Sequence, residues 1–128
     1  QEQFNKLYAD LEKKYWCLNT ENIYEMYNYL QDGLAIRFAK PHTSIPNFEV
    51  KFALSSLQQE SFVGSIDVIT KQGTFHISSL ERQIAFKRYY LKSEKDLEDA
   101  QHIEEIFKKN IDMRKVHAYK QKIEKNIT

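Results

Sequence analysis

The sequence predicts an α+β fold, with helices towards both ends of the chain and a sheet between them. Apolar residues recur at helical spacing in residues 3–31 and again in residues 79–125. Residues 34–77 instead show the apolar and polar alternation that is typical of strands. Connections of hairpin length favour a three- to four-stranded sheet that is mixed or antiparallel. We expect the 128 residues to form a single domain.

The first helical segment spans Gln3 to Leu18, which places Cys17 on a helix. A second helix ends near Leu30, because Asp32-Gly33 follows it and glycine readily adopts the left-handed conformation at a helix end. Alternation then predicts strands at residues 34–39, 48–53, 62–70 and 74–77, with Gly64 as a candidate bulge.

Two serines mark the starts of the helices that follow the sheet. Ser78 with Glu81 three residues later matches a capping box. Ser93 is a good N-cap for the next helix, and Asp96 lies favourably near the positive end of that helix. We expect a last, mostly polar helix at about residues 112–125.

The composition excludes several classes of protein. The formal net charge is +1, so the overall charge gives no reason to expect strong nucleic-acid binding. Cys17 is the single cysteine, which excludes an intrachain disulfide, and the four histidines lack the spacing of a zinc site. No apolar run approaches the roughly 18–20 residues of a membrane span. We therefore expect no membrane partner and a cytoplasmic location.

Three sets of charged residues are candidates for chemistry. Glu49 and Lys51 alternate with aromatic residues and so share one face of a predicted strand, towards which Arg37 could also point. They line a cleft, or they form cross-strand ion pairs on a solvated face. Asp67 lies within an apolar strand, where a carboxylate needs a partner or a cation unless it is at the surface.

The third set is rich in lysine and aspartate and surrounds the turn between two predicted helices. A lysine can bind phosphate as a point charge, and the aspartates can orient it or cap the turn. Alternatively, these are helix-end charges and local ion pairs. The set comprises Lys87, Arg88, Lys92, Lys95, Asp96 and Asp99.

Residues 77–87 and 92–100 resemble the nucleotidyltransferase-fold proteins, close to the abortive-infection toxins and small prokaryotic nucleotidyltransferases. The similarity lies in Ser79-Leu80-Glu81 with Ile84 and Lys87, then Lys95-Asp96 with Asp99. It covers about a quarter of the chain closely, and the preceding strands agree in order. The resemblance implies a mixed sheet flanked by helices, and transfer of a nucleotidyl group from a nucleoside triphosphate with Mg²⁺ to an acceptor that it does not identify.

The resemblance also implies roles for individual residues. Glu49 matches the catalytic carboxylate on a central strand that completes the metal site, with Asp67 as the other metal-ligand candidate. Lys87 matches the helical lysine that faces the triphosphate, and Lys51 and Lys95 are assigned to nucleotide binding with it. Asp96 and Asp99 match the charged motif that supports this lysine.

The sequence departs from the family in lacking its opening Gly-Ser and D-x-D motifs. Since the first residue is Gln1, we expect this chain to be the C-terminal portion of a larger nucleotidyltransferase and to be inactive by itself. The alternative hypothesis is a non-catalytic module that binds a partner or forms a homodimer, with an aromatic helix around Tyr24, Tyr27 and Tyr29 as one surface.

Overall fold

A computed structural model of the chain describes residues 1–127 and confirms the α+β class. A 3₁₀ turn at Glu60–Phe62 and a π-helical turn at Lys87–Leu91 supplement the regular elements. In chain order these are α1 (Glu2–Leu11), β1 (Trp16–Cys17), α2 (Ile23–Gln31), β2 (Ile36–Ala39), β3 (Asn47–Val50), α3 (Ser56–Gln59), β4 (Ile66–Thr70), β5 (Gly73–Ile77), α4 (Leu80–Phe86), α5 (Glu94–Ile106) and α6 (Met113–Ile127).

The chain forms two compact units, of which the first is Gln1–Leu54 and the second begins at Ser55. The interpretation as a single domain therefore stays a prediction. No helix within residues 1–127 combines the length and the hydrophobicity needed to cross a membrane.

The first unit packs α1 and α2 against an antiparallel sheet in the order β1-β2-β3. In β2, Ile36 and Phe38 are fully buried and Arg37 between them is exposed, as alternation across a strand requires. The helices contribute Phe4, Met26 and Leu30 to the same core. Gly33 follows α2 with a φ of 76°, which agrees with the predicted helix stop.

The prediction of one helix from Gln3 to Leu18 is wrong beyond Leu11. The N–H groups of Lys14 and Tyr15 both donate to the Leu11 carbonyl, which closes the helix. Cys17 then lies on β1, opposite Phe38, and not on a helix. Tyr15 and Cys17 face the core while Trp16 is exposed, so pairing with a distant strand overrides the local helical spacing.

The second unit has a core of apolar side chains contributed by α3, α4, α5 and α6. Ile84 and Ala85 of α4 are fully buried there, as are Ala100 of α5 and, almost completely, Val116 and Ile123 of α6. The polar appearance of α6 in the sequence thus conceals a narrow apolar stripe.

The strands predicted for residues 34–77 do not join into one sheet. Two of them, β2 and β3, join β1 in the three-stranded sheet of the first unit, and the other two form a separate β4–β5 hairpin in the second unit. Between them, Ser55 caps α3 through a capping box with Gln58, and Leu57 is buried. The short helix α3 therefore lies between the strands of the two sheets. Gly64 has a φ of 68° and precedes β4, so it does not form the predicted bulge within a strand.

A buried arginine holds α3 and α4 together. The Nη2 group of Arg82 donates to the Leu57 carbonyl at 2.7 Å, and the guanidinium lies 4.1 Å from the centre of the Phe86 ring. Only 7% of Arg82 is exposed, and burial lowers the pKa of its guanidinium. Within residues 1–127, the buried Arg82 Nε has no hydrogen-bond partner.

The predicted capping box at Ser78 is replaced by a cap at Ser79. The Ser79 hydroxyl accepts a hydrogen bond from the Arg82 N–H, and Glu81 instead accepts one from the backbone N–H of Asp112. Glu81 therefore links the start of α4 to the segment before α6.

We expect Ser79→Ala to lower the free energy of unfolding by about 1 kcal/mol, because it removes the helix cap. Ser78→Ala is the matched control and should change stability far less, since Ser78 uses its backbone carbonyl to accept from Gln83. Urea denaturation followed by circular dichroism measures both variants. Equal losses in the two would contradict the assignment of the cap to Ser79.

Candidate functional site

Lys87 and two aspartates meet where α4 ends. The π-helical turn begins at Lys87, Lys92 has a left-handed conformation with a φ of 62°, and Ser93 caps α5. This reversal brings α5 back past the turn. Lys87 Nζ donates to Asp99 Oδ2 at 2.8 Å and lies 3.5 Å from Asp96 Oδ1.

The electrostatics of this cluster favour the charged forms of Lys87 and Asp96. The hydrogen bond to Asp99 raises the pKa of Lys87 and outweighs the opposing effect of partial burial. A hydrogen bond from the Ser93 hydroxyl lowers the pKa of Asp96, with Lys87 adding to this effect. The cluster thus contains one cation and two carboxylates at neutral pH.

Arg88, the next residue on the turn, forms a second link to α5. Its Nη2 group donates to Glu104 Oε2 at 2.7 Å. Sequence reasoning missed Glu104, because no regular spacing connects it to Arg88; only the reversal of the chain at Lys92 and Ser93 brings them together. Lys95, assigned to nucleotide binding, is exposed on the first turn of α5.

Glu49 and Lys51, assigned to catalysis and nucleotide binding, belong to the first unit. Glu49 lies opposite Arg37 in the β2–β3 register, and Arg37 Nη2 is 2.6 Å from Glu49 Oε2. Lys51 is exposed and lies just beyond Val50, the last residue of β3. The cross-strand ion pair, one of the two interpretations of this strand, is therefore present.

Asp67, the other metal-ligand candidate, is exposed on β4 of the second unit. It lies directly opposite His76 on β5, and Asp67 Oδ1 is 2.5 Å from His76 Nδ1. The strand containing Asp67 is exposed along its whole length, so the carboxylate needs no cation to offset burial.

The residues present do not make a metal site by themselves. Across residues 1–127, no three or more His, Cys, Asp or Glu side chains are grouped in a way that could hold a metal ion. Glu49 and Asp67 are each engaged by a basic side chain. The expected role of Mg²⁺ stays a prediction.

Comparison with known proteins does not identify a relative. No family model, no characterised protein and no solved structure matches this chain.

The Ser93–Asp96 pair gives the site a pH-dependent stability. Ser93→Ala should lower the free energy of unfolding by about 1 kcal/mol at pH 7 through loss of the cap. Folding lowers the pKa of Asp96, so the charged carboxylate stabilises the folded state. This stabilisation is complete at pH values above the ordinary pKa of an aspartate. It is lost as the pH falls through the lowered pKa that Asp96 has in the folded protein. The difference in the free energy of unfolding between wild type and Ser93→Ala should therefore become smaller below about pH 4.

Urea denaturation at pH 7 and at pH 3 measures this difference. Ser93→Thr keeps the hydroxyl and is the control, which should resemble wild type at both values. A Ser93→Ala defect of the same size at both pH values would show that Asp96 does not contribute through its charge.

Proposed function

We propose that this chain supplies the phosphate-binding part of a nucleotidyltransferase-type site, with Lys87 as the group that contacts the phosphates. One observation carries the proposal. Lys87 lies within ion-pair distance of both Asp96 and Asp99, the two aspartates that the resemblance assigns to the motif supporting this lysine.

The geometry of Lys87 suits this role. An ammonium group has three N–H donors, of which one is given to Asp99 and another faces Asp96. The third remains for a phosphate oxygen, and about 26% of the side chain is exposed to solvent. The aspartates hold the ammonium in place before a ligand arrives, which reduces the entropy lost on binding. A π-helical turn, such as the one that begins at Lys87, is common at functional sites.

The charge of the cluster limits what it can bind. Its two carboxylates exceed its one cation, so a bare polyphosphate is repelled. A nucleotide that carries Mg²⁺ has less negative charge and is the expected form of the ligand. Because the sequence has no D-x-D motif, we propose that the chain binds a nucleoside triphosphate but does not transfer the nucleotidyl group by itself.

Titration with Mg-ATP, followed by NMR of the backbone amides between Lys87 and Asp96, tests this proposal. We expect saturable shifts at millimolar ligand, weaker with AMP because it has fewer phosphates. Lys87→Gln removes the charge and should abolish the shifts. Lys71→Gln, at an exposed turn of the same unit, is the matched control and should preserve them. Shifts that are absent, or that persist unchanged in Lys87→Gln, would refute a phosphate site at Lys87.

A second candidate function is homodimerisation through the β4–β5 hairpin. Two-stranded hairpins are at best marginally stable in water without a packed face. On one face of this hairpin, Val68 is 37% exposed and Phe75 opposite it is 55% exposed. Ile66 and Ile77 extend the same face. These four side chains form an apolar patch without a charged residue.

We propose a second copy of this chain as the occupant of the patch. Since the patch carries no charge, two copies can meet without opposing like charges. A five-residue strand is only about 17 Å long, so the buried area stays well below the roughly 800 Å² per partner of a standard interface. The expected dimer is therefore weak and depends on concentration.

Sedimentation velocity over a range of concentrations tests the dimer. Val68→Glu places a charge on the patch and should leave only monomer. Thr74→Glu, on the opposite face of the hairpin, is the control and should dimerise as wild type does. A strict monomer at all concentrations, or equal effects of the two substitutions, would exclude this interface.

A further inference from the structure

The first unit contains a cleft that none of the predicted site residues line. It has a volume of about 240 Å³ and opens where the end of α1, β1 and the start of α2 come together. The fully buried Met26 contributes to its lining. The other lining residues are Tyr8, Glu12, Tyr15, Trp16, Cys17, Thr20 and Glu21.

Three aromatic residues line this cleft, and neighbouring rings hold each of them in position. Tyr8 stacks on Phe4 with 6.3 Å between ring centres. Tyr15 meets Phe48 edge to face at 5.1 Å. Trp16, which is half exposed, meets the His42 ring at 4.6 Å. The rings are therefore positioned before any ligand binds.

The charged residues of the cleft are all acidic. Glu12 and Glu21 line it, and no lysine or arginine does. Within the described part of the chain, neither carboxylate has an ion-pair partner, and the nearby Lys13 is engaged by Asp10 at 2.8 Å. The cleft thus combines aromatic side chains with two carboxylates that have no ion-pair partner within residues 1–127.

The ionisation of Tyr8 agrees with this negative potential. Burial raises the pKa of the Tyr8 hydroxyl, and the charges of Glu12 and Glu21 raise it further. A further negative charge is disfavoured in this cleft. The two carboxylates that contribute to this effect attract a positive charge, whereas burial opposes a charge of either sign.

We propose that this cleft binds a small organic cation of the quaternary ammonium class. Aromatic faces attract such cations through their quadrupoles, and the carboxylates add direct charge attraction. The volume is suited to a trialkylammonium head group. A hard metal ion is a poor alternative, because Mg²⁺ and Ca²⁺ need about six or more oxygen ligands. The site lies in the first unit and is independent of the Lys87 proposal.

Trp16 is the single tryptophan of the chain, so its fluorescence reports directly on the cleft. Choline is the probe, and 3,3-dimethyl-1-butanol is its uncharged isostere. We expect choline to change the emission saturably and to bind at least about tenfold more tightly than the alcohol. Sodium chloride at equal ionic strength should have no such effect. Equal responses to choline and the alcohol, or no saturable response to choline, would overturn the proposal.

Variants of the two carboxylates separate charge from general packing. Glu21→Gln and Glu12→Gln keep the side-chain shape and should each weaken choline binding several-fold. Glu2→Gln, an exposed position on α1 outside the cleft, is the matched control and should bind as wild type does. Near-UV circular dichroism verifies that each variant is folded. Unchanged choline affinity in both cleft variants would contradict the proposed role of the carboxylates.

The same head group occurs free, as in choline, and on a trimethylated lysine side chain. A short peptide with one trimethyl-lysine, compared with the unmodified peptide, distinguishes the two sources. Tighter binding of the methylated peptide than of choline identifies a protein ligand, and tighter binding of choline identifies a free small molecule. Either result, with a carboxylate dependence, supports the site.

Discussion

The packing of the helices in the second unit depends on the contacts that satisfy the buried guanidinium of Arg82. Arginine keeps its charge at any physiological pH, so burial is tolerable only where the group finds acceptors and polarisable surface. Here it finds the Leu57 carbonyl and the face of Phe86. The orientation of α4 is therefore restricted to one that satisfies these contacts. Lys87 begins the turn directly after α4, and its position follows from the same constraint.

The two basic residues that directly follow α4, Lys87 and Arg88, form ion pairs with acidic residues of α5. These ion pairs limit which ligands the turn can attract. Lys87 is held by Asp99 and Asp96, and Arg88 by Glu104. These pairs are partly shielded from water, so they position the turn more firmly than exposed ion pairs would. An ammonium held in this way is suited to receiving a ligand at a fixed place. It is less suited to attracting a polyanion over long distances, because its charge is already offset.

Features governed by local interactions could be predicted from the sequence, and features governed by distant ones could not. The Ser93 cap and the stop at Gly33 depend on a few neighbouring residues, so both were predictable. The strand at Trp16–Cys17 depends on pairing with Phe38 and Ala39, more than twenty residues away, and its local spacing instead favours a helix. Periodicity identified most of the other strands but did not indicate which of them pair.

The candidate site shows the same division. Side-chain alternation placed Arg37 and Glu49 on one face, and the structure pairs them. The approach of Lys87 to Asp99 was one of the roles considered for the aspartates of this set, although twelve residues and a turn separate the two. The cleft of the first unit draws its lining from three elements, and no sequence motif indicated it.

The exposed hairpin has a consequence for solubility. A strand rich in β-branched residues, with an edge that no other strand covers, is a template for the stacking of chains into aggregates. In residues 65–70, Asp67 is the single charged residue among isoleucine, valine, serine and threonine. Its charge, which considered alone suggested a metal ligand, disfavours the close stacking of identical strands. Asp67 thus occupies a position at which a charged gatekeeper residue opposes aggregation.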